Sequence, residues 1–278
     1  MIRHRIFKSL GFAPRYLAAT NRCPELAAVA NAIACSRQFD GWRVLSSSAQ
    51  TRVAKGEWNE RPVFLKLFIP RSRSEPVKAL VRGSRGVRAV DQSIRMNESG
   101  FATPTSLCHG WIRGSIEYVA TDALPHPTVN DLATHEGGAI ALGTRERWQL
   151  LNLVGAEIAR LHTAGWIHGD LRLGNILCEW HGPDGAPKFW YLDNEGNRRS
   201  RRTSDRMRNL VQLLMTPRNL LSRFDQYRLL QGYAKAQKLS REQSRTLARA
   251  VEHARARRLK RRLARGGPKA RYSSQASD

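Results

Sequence analysis

The sequence predicts an α+β chain in two lobes, strand-rich as far as Pro125 and helix-rich beyond it. Three observations support this. Dense β-former runs, Val63–Phe68 and Ile116–Ala120, fall early. From Thr144 the apolar residues switch to helical spacing. And 278 residues suffice for one large or two small domains that bury a core without disulfide staples. At 41% hydrophobic and 25% charged, the composition is that of a globular chain.

Residues 1–40 read as a basic lead-in and a helix opened by Pro24, with Leu26, Val29 and Ile33 on one face. Residues 41–125 read as the first lobe. Trp42–Leu45 is strand-like and Ser46–Ser48 a turn. Thr51–Lys55 resumes as a strand, Gly56–Arg61 is read as a hairpin tip, and Val63–Phe68 follows. After a basic connection, Val87, Val90, Ile94 and Asn97 mark a helix that ends at Gly100. Residues 126–265 read as the second lobe. Trp148, Leu151, Val154, Ile158 and Leu161 line one helix face, and Gly165 stops that helix. Helices follow at Ser204–Met215 and around Leu220–Tyr233. A last one starts at Ser240, which has capping-box spacing to Gln243, and carries Leu247, Val251, Leu259 and Leu263. Residues 266–278 are expected to be a disordered basic tail.

The net charge is +24, and the basic residues are 38 Arg against 9 Lys. Such a surface seeks polyanions, and arginine favours forked contacts to phosphate and carboxylate. No run of 18 apolar residues exists, so no transmembrane helix is expected, and the basic N-terminus is a poor secretory signal. Cys23, Cys35, Cys108 and Cys178 form no C-x-x-C pair, which argues against a zinc site or a disulfide framework and fits a reducing cytoplasm. Nucleic acid is not the expected partner, because only charge and no RNA-reading motif is present.

The informative stretch runs from Trp166 to Leu177 and contains His168-Gly169-Asp170-Leu171-Arg172 and then Asn175. A turn at His181–Gly185 and a strand Phe189–Leu192 deliver Asp193, so one hairpin brings Asp193 back beside Asn175. Mg²⁺ wants oxygen ligands, and Asn175 and Asp193 supply an amide oxygen and a carboxylate. Asp170 is available to accept a proton from an attacking hydroxyl. Arg172 can reach a transferring phosphate, and Lys66, on a strand of the first lobe, can fix donor phosphates. His168 is read as structural, holding this loop.

A strand lysine, H-x-D-x-x-x-x-N and a strand-end Asp resemble the protein-kinase-like pattern. By that resemblance Ser47 and Ser48 occupy the place of the phosphate-covering loop, although no G-x-G-x-x-G is present. The wider text resembles the lipopolysaccharide core kinases that phosphorylate Kdo or heptose. The resemblance runs from about Val44 to Tyr233. It rests on V-F-L-K at 63–66, Glu98–Pro104, L-H-T-A-G-W-I-H-G-D-L-R-L-G-N-I-L at 161–177, Tyr191–Arg198 with its arginine-rich turn, and Asn209–Leu213. It implies a two-lobed kinase fold, ATP with Mg²⁺ as donor, and an inner-core sugar hydroxyl of a lipid A precursor as acceptor. An anionic membrane surface at the cytoplasmic face of the inner membrane is the expected place of work.

Kinases place a Glu on the first-lobe helix to pair with the strand lysine. Counting back from Gly100, Ala89 holds that place here, with Asp91 and Glu75 as candidate substitutes. Two other readings therefore stay open: a kinase-like phosphotransferase for a protein or small-molecule alcohol, and a catalytically dead module that binds polyanions. The arginines at 198, 199, 201, 202, 206 and 208 read equally as a solvated run or as an anion site. Between Arg241 and Arg271 lie 12 basic and two acidic residues, a segment suited to an anionic surface.

Overall fold

A computed structural model of the chain describes residues 23–70, 83–113, 115–182 and 185–264. The chain divides between Pro125 and His126 into two units. The N-terminal 22 residues, Glu75 and the tail from 265 lie outside the described residues.

The first unit is a five-stranded antiparallel sheet with a helix on each face. Strands β1 (Arg43–Ser47), β2 (Thr51–Trp58), β3 (Arg61–Phe68), β4 (Ser106–Ile112) and β5 (Ile116–Asp122) lie in the order β1-β2-β3-β5-β4. Alternation along β3 sorts its side chains. Val63, Leu65 and Leu67 are buried beneath helix α1 (Pro24–Ala34) with Leu26, Val29, Ala30 and Ile33. On the other face Phe68 and Val119 meet Val90 of helix α2 (Arg85–Glu98), with Ala89 at the edge of that cluster.

The β2–β3 hairpin turns at Asn59 and Glu60, whose φ angles of 50° and 60° give the two-residue turn that matches strand twist. The expected tip at Gly56–Arg61 is therefore shorter. Gly56 is a strand residue, and a side chain there would run into the Trp42 indole, 2.3 Å away.

Helix α2 is held at its N-terminus by a carboxylate from the sheet. Glu117, buried on β5, accepts from the amides of Gly86 at 2.6 Å and Val87 at 3.1 Å, and from the Ser84 hydroxyl. His109 on β4 stands 2.7 Å from the same carboxylate. Burial alone would raise the Glu117 pKa. The bonds from His109, Ser84 and Gly86 outweigh it and hold the group below its ordinary value, as a helix N-terminus should for an anion.

The second unit is mainly helical: α3 (Val129–Ala133), α4 (Thr144–Thr163), α5 (Thr203–Leu213), α6 (Arg223–Ala236) and α7 (Arg241–Ala264). Two short antiparallel ladders join them, β6 (Trp166–Ile167) with β9 (Arg198–Arg199) and β7 (Ile176–Glu179) with β8 (Lys188–Tyr191). Helices α4 and α6 cross with their backbones touching. A Cβ at Gly155 would stand 2.0 Å from the Leu229 carbonyl oxygen, and one at Gly232 1.9 Å from that of Asn152. Leu151, Val154, Ile158 and Leu161 are buried, as their spacing predicts. The α7 stripe behaves differently. Val251 and Arg255 are its buried residues, while Leu263 is exposed.

Candidate active site

The loop between β6 and β7 carries His168, Asp170, Arg172 and Asn175, and the end of β8 leads into Asp193. The β7–β8 ladder pairs Ile176 with Tyr191, and the Leu192 amide donates to the Asn175 carbonyl at 2.9 Å. The segment that ends in Asp193 thus runs beside Asn175. Asp193 has φ 59° and ψ 50°, a left-handed conformation that aspartate tolerates better than most residues.

His168 ties the two segments together. Its Nε2 donates to the Leu192 carbonyl at 2.9 Å, and its Nδ1 accepts from the Asp170 amide at 3.2 Å. One ring nitrogen thus donates and the other accepts, which is a neutral imidazole. Burial lowers its pKa, opposed by the Leu192 bond and by the charges of Asp193 and Asp170. The ring positions Asp170 from one side and the residue before Asp193 from the other.

A set of buried side-chain amides fixes the rest of the loop. Asn209 on α5 donates to the His168 carbonyl at 2.7 Å and accepts from the His168 amide at 3.0 Å. Gln212, one turn on, donates to the Gly169 carbonyl at 3.2 Å. Asn197 accepts from the Gly169 amide at 2.8 Å and donates to Asn194 at 2.7 Å, which in turn donates to the Tyr191 carbonyl at 3.0 Å. The backbone groups of His168 and Gly169 are therefore held by side chains from two other segments. A Cβ at Gly169 would lie 2.6 Å from Gly196, so the two loops approach as only glycine permits.

Asp170 and Arg172 are both partly exposed, and the Arg172 Nε donates to the Asp170 carboxylate at 3.0 Å. The Asn175 amide nitrogen donates to the Asp170 carbonyl at 2.8 Å, so that nitrogen is engaged and the amide oxygen is the ligand atom of the pair. That oxygen and the Asp193 carboxylate are hard ligands and fit Mg²⁺, whose remaining positions are commonly filled by water and phosphate. Among the described residues no three His, Cys, Asp or Glu gather into a metal cage.

In the first unit, Lys66 lies on β3 opposite Val119, with its ammonium 5.0 Å from the centre of the Phe68 ring. Ser48 is a turn residue. Its hydroxyl accepts from the amides of Thr51 at 3.0 Å and Gln50 at 3.3 Å. Ser47 closes β1 opposite Arg52, and its side chain is outside the described set. Arg85, a residue sequence reasoning passed over, braces this turn. It donates to the Gln50 carbonyl at 2.9 Å and the Thr51 hydroxyl at 3.2 Å, and its guanidinium lies 4.9 Å from the Phe68 ring centre. Asp91 pairs with Arg95 on its own helix at 3.0 Å.

Two of the turn arginines have structural partners. Arg198 pairs with Asp205, and Arg199 donates to the Ala164 carbonyl while stacking 4.2 Å from the centre of the buried Trp166 ring. Arg201 and Arg202 are exposed beside them. Asn194, Asn197, Asn209 and Gln212 belong to segments that carried the family resemblance, yet spacing alone assigned them no role. The available signal was polarity out of place: Gln212 interrupts the apolar run Leu210-Val211-Leu213, and Asn209 adjoins it.

No curated protein matches the sequence. Among solved structures, one described as "WaaP in complex with acyl carrier protein" superposes with a TM-score of 0.56 at 18% identity. The match covers 88% of this chain and 96% of that one. At that identity the likeness shows the fold, which is kinase-like, as the sequence predicts. The description "Lipopolysaccharide kinase (Kdo/WaaP) family" matches residues 81–233, more than half of the chain; that span contains the candidate residues Asp170, Arg172, Asn175 and Asp193, while Lys66, Ser47 and Ser48 precede it. The chain belongs to the lipopolysaccharide kinase (Kdo/WaaP) family.

Proposed function

We propose that the protein is an ATP- and Mg²⁺-dependent kinase that phosphorylates a sugar hydroxyl, of Kdo or heptose, in the lipopolysaccharide inner core. The observation that carries this reading is the buried bracing of the His168–Asn175 loop against the strand end before Asp193. Phosphoryl transfer is catalysed chiefly by positioning and electrostatics, and a loop held by neutral side chains on all sides is what positioning requires.

Asp170 orients the acceptor hydroxyl and takes its proton. Its bond to Arg172 aims the carboxylate, and Arg172 offsets charge on the transferred group. Asn175 and Asp193 would hold Mg²⁺, which would neutralise charge on the oxygens of the phosphoryl group that ATP donates. Lys66 holds donor phosphates, with Ser47 and Ser48 in the loop that covers them. Residues 41–125 thus serve the donor and residues 126–265 the chemistry. The surface is strongly cationic, and among the described residues no helix is long and apolar enough to cross a membrane. Both facts suit a peripheral protein at the anionic cytoplasmic face of the inner membrane.

Transfer from radiolabelled ATP to a panel of truncated core acceptors tests the proposal. Label should enter an acceptor that ends in Kdo or heptose. Transfer to a protein or small alcohol alone would reassign the acceptor. No transfer to any acceptor, with ATP and polyanions still bound, would establish the non-catalytic reading.

A further inference from the structure

Helix α7 packs on the second unit along a stripe whose chemistry changes along its length. Residues 251, 255, 258 and 262 recur at helical spacing and share a face. Val251 is fully buried. Arg255 is buried too, and its Nε donates to the Leu214 carbonyl at the end of α5 at 2.7 Å. Arg258 is half-buried and Arg262 exposed. A packed stripe is ordinarily apolar, so arginines along it call for anionic partners.

The helix itself does not supply them. Its two acidic residues are Glu242, in the first turn, and Glu252, which pairs with Arg218 and lies 3.7 Å from Arg255. Beyond Glu252 the described helix is cationic without an acid. An open groove of about 580 Å³ runs along this stretch, lined by Ala254, Arg257, Arg258, Arg261 and Arg262. Its volume suits a phosphorylated sugar rather than a single water.

The same stretch lies in the field of the catalytic loop. Burial lowers the Arg258 pKa, the positive charges of Arg262, Arg172 and Arg208 lower it further, and the Asp170 carboxylate opposes them. Asp170 is already engaged by Arg172, so the cationic group around it is left with an excess of guanidiniums.

We propose that Arg258 and Arg262, with Arg257 and Arg261 at the edge of the stripe, form a subsite for a phosphate group carried by the acceptor. On the kinase reading that phosphate belongs to the acceptor, so the site would favour acceptors that are already phosphorylated. This rests on the kinase reading for its purpose but not for its binding chemistry.

Inorganic pyrophosphate is the probe, titrated calorimetrically without Mg²⁺ into the full chain bearing Lys66→Ala, so that the strand lysine does not contribute. Arg258→Gln with Arg262→Gln should weaken pyrophosphate binding at least fivefold. Arg245→Gln with Arg249→Gln removes equal charge from exposed positions earlier on α7 and should change it less than twofold. If the two pairs weaken binding equally, the effect is net charge and the subsite is refuted. If the first pair loses binding to anionic phosphatidylglycerol vesicles while pyrophosphate binding is unchanged, the stripe is a membrane contact and the proposal falls. Should the double variant misfold, Arg262→Gln alone, at an exposed position, should still weaken binding more than either control substitution. A wild-type protein that binds pyrophosphate through this pair but transfers no phosphate would sink the kinase reading and leave the subsite standing.

Discussion

Replacing Asn209 by alanine tests whether buried amides, rather than chain connectivity, hold the His168–Asn175 loop. Asn209 is fully buried and makes four contacts. It donates to the His168 carbonyl at 2.7 Å and Gln212 Oε1 at 3.0 Å, and accepts from the His168 amide at 3.0 Å and His162 Nε2 at 3.3 Å. Alanine leaves both His168 backbone groups without these partners inside the protein. Each buried group so orphaned costs about 1–3 kcal/mol, so the pair alone predicts a loss of about 4 kcal/mol. That is a large share of the roughly 5–15 kcal/mol by which domains are stable. Asn209→Asp separates hydrogen bonding from shape. It has nearly the same volume and keeps an acceptor for the His168 amide, but it turns an oxygen toward the His168 carbonyl and Gln212 Oε1. It should therefore be as damaging as alanine. Urea unfolding gives the stability, and hydrogen exchange at the Gly169 and Asp170 amides reports the loop itself. A loss under about 1 kcal/mol for both variants, or unchanged exchange, would refute the bracing argument.

Three further outcomes are expected. Gly169→Ala should cost about 1–3 kcal/mol and most of the activity, because its Cβ would lie 2.6 Å from Gly196; Gly196→Ala, whose Cβ meets Gly169 at 3.1 Å, should be milder by thermal melting and turnover. Asp170→Asn should lower turnover by roughly 10²–10⁴ with ATP affinity little changed, and turnover within threefold of wild type would remove Asp170 from the mechanism. His162 should make folding acid-sensitive. Burial and the nearby Arg206 charge, against the bond to Asn209, bring its pKa down to about 4 from 6.5, so the unfolded chain binds the proton more readily. Its contribution is intact above pH 6.5 and falls by about 3 kcal/mol as the pH drops to 4. Unfolding curves for wild type and His162→Gln should converge over that window, and parallel curves would show that the ring does not stay neutral.

Much of the geometry of the candidate loop was legible because its residues are close in sequence. His168, Asp170, Arg172 and Asn175 lie within eight residues, and the hairpin that returns Asp193 is short enough to infer from β-formers and a turn. The helices α1 and α4 were legible for a similar reason: their buried residues recur at helical spacing. Strand β4 was not, since Ser106–Ile112 mixes Cys, His and Gly with only three larger apolar residues. The Gly56 signal misled because glycine can mark close packing as well as a turn, and here it makes room for Trp42. The α7 leucines misled because a long basic helix can touch its domain along one narrow stripe, and Val251 and Arg255 fill that stripe. The bracing amides were illegible for a different reason. Asn209 and His168 are 41 residues apart, and no periodicity encodes which backbone group a buried amide will meet.

Helix α2 is fastened to the sheet by a contact that the kinase pattern does not require. In the kinase pattern a helix glutamate and the strand lysine hold each other. Counting back from Gly100 points to Ala89 for that position; Ala89 packs among Phe68, Val90 and Val119, and the nearby Asp91 pairs with Arg95. The helix is instead fastened from the sheet, through the Glu117 carboxylate seated on the amides of its first turn and backed by His109. That contact satisfies helix amides that would otherwise lack intrahelical partners, and it places negative charge where the helix dipole favours it. It fixes one end of α2 to β5, the strand that pairs with β3 and Lys66. At the same end Arg85 reaches the Gln50–Thr51 turn and shares the Phe68 ring with Lys66. The strand lysine, the turn and the helix are thus joined through Phe68, Arg85 and Glu117. An alanine at the usual glutamate position is therefore no argument by itself that the first unit is unfit to hold a phosphate donor.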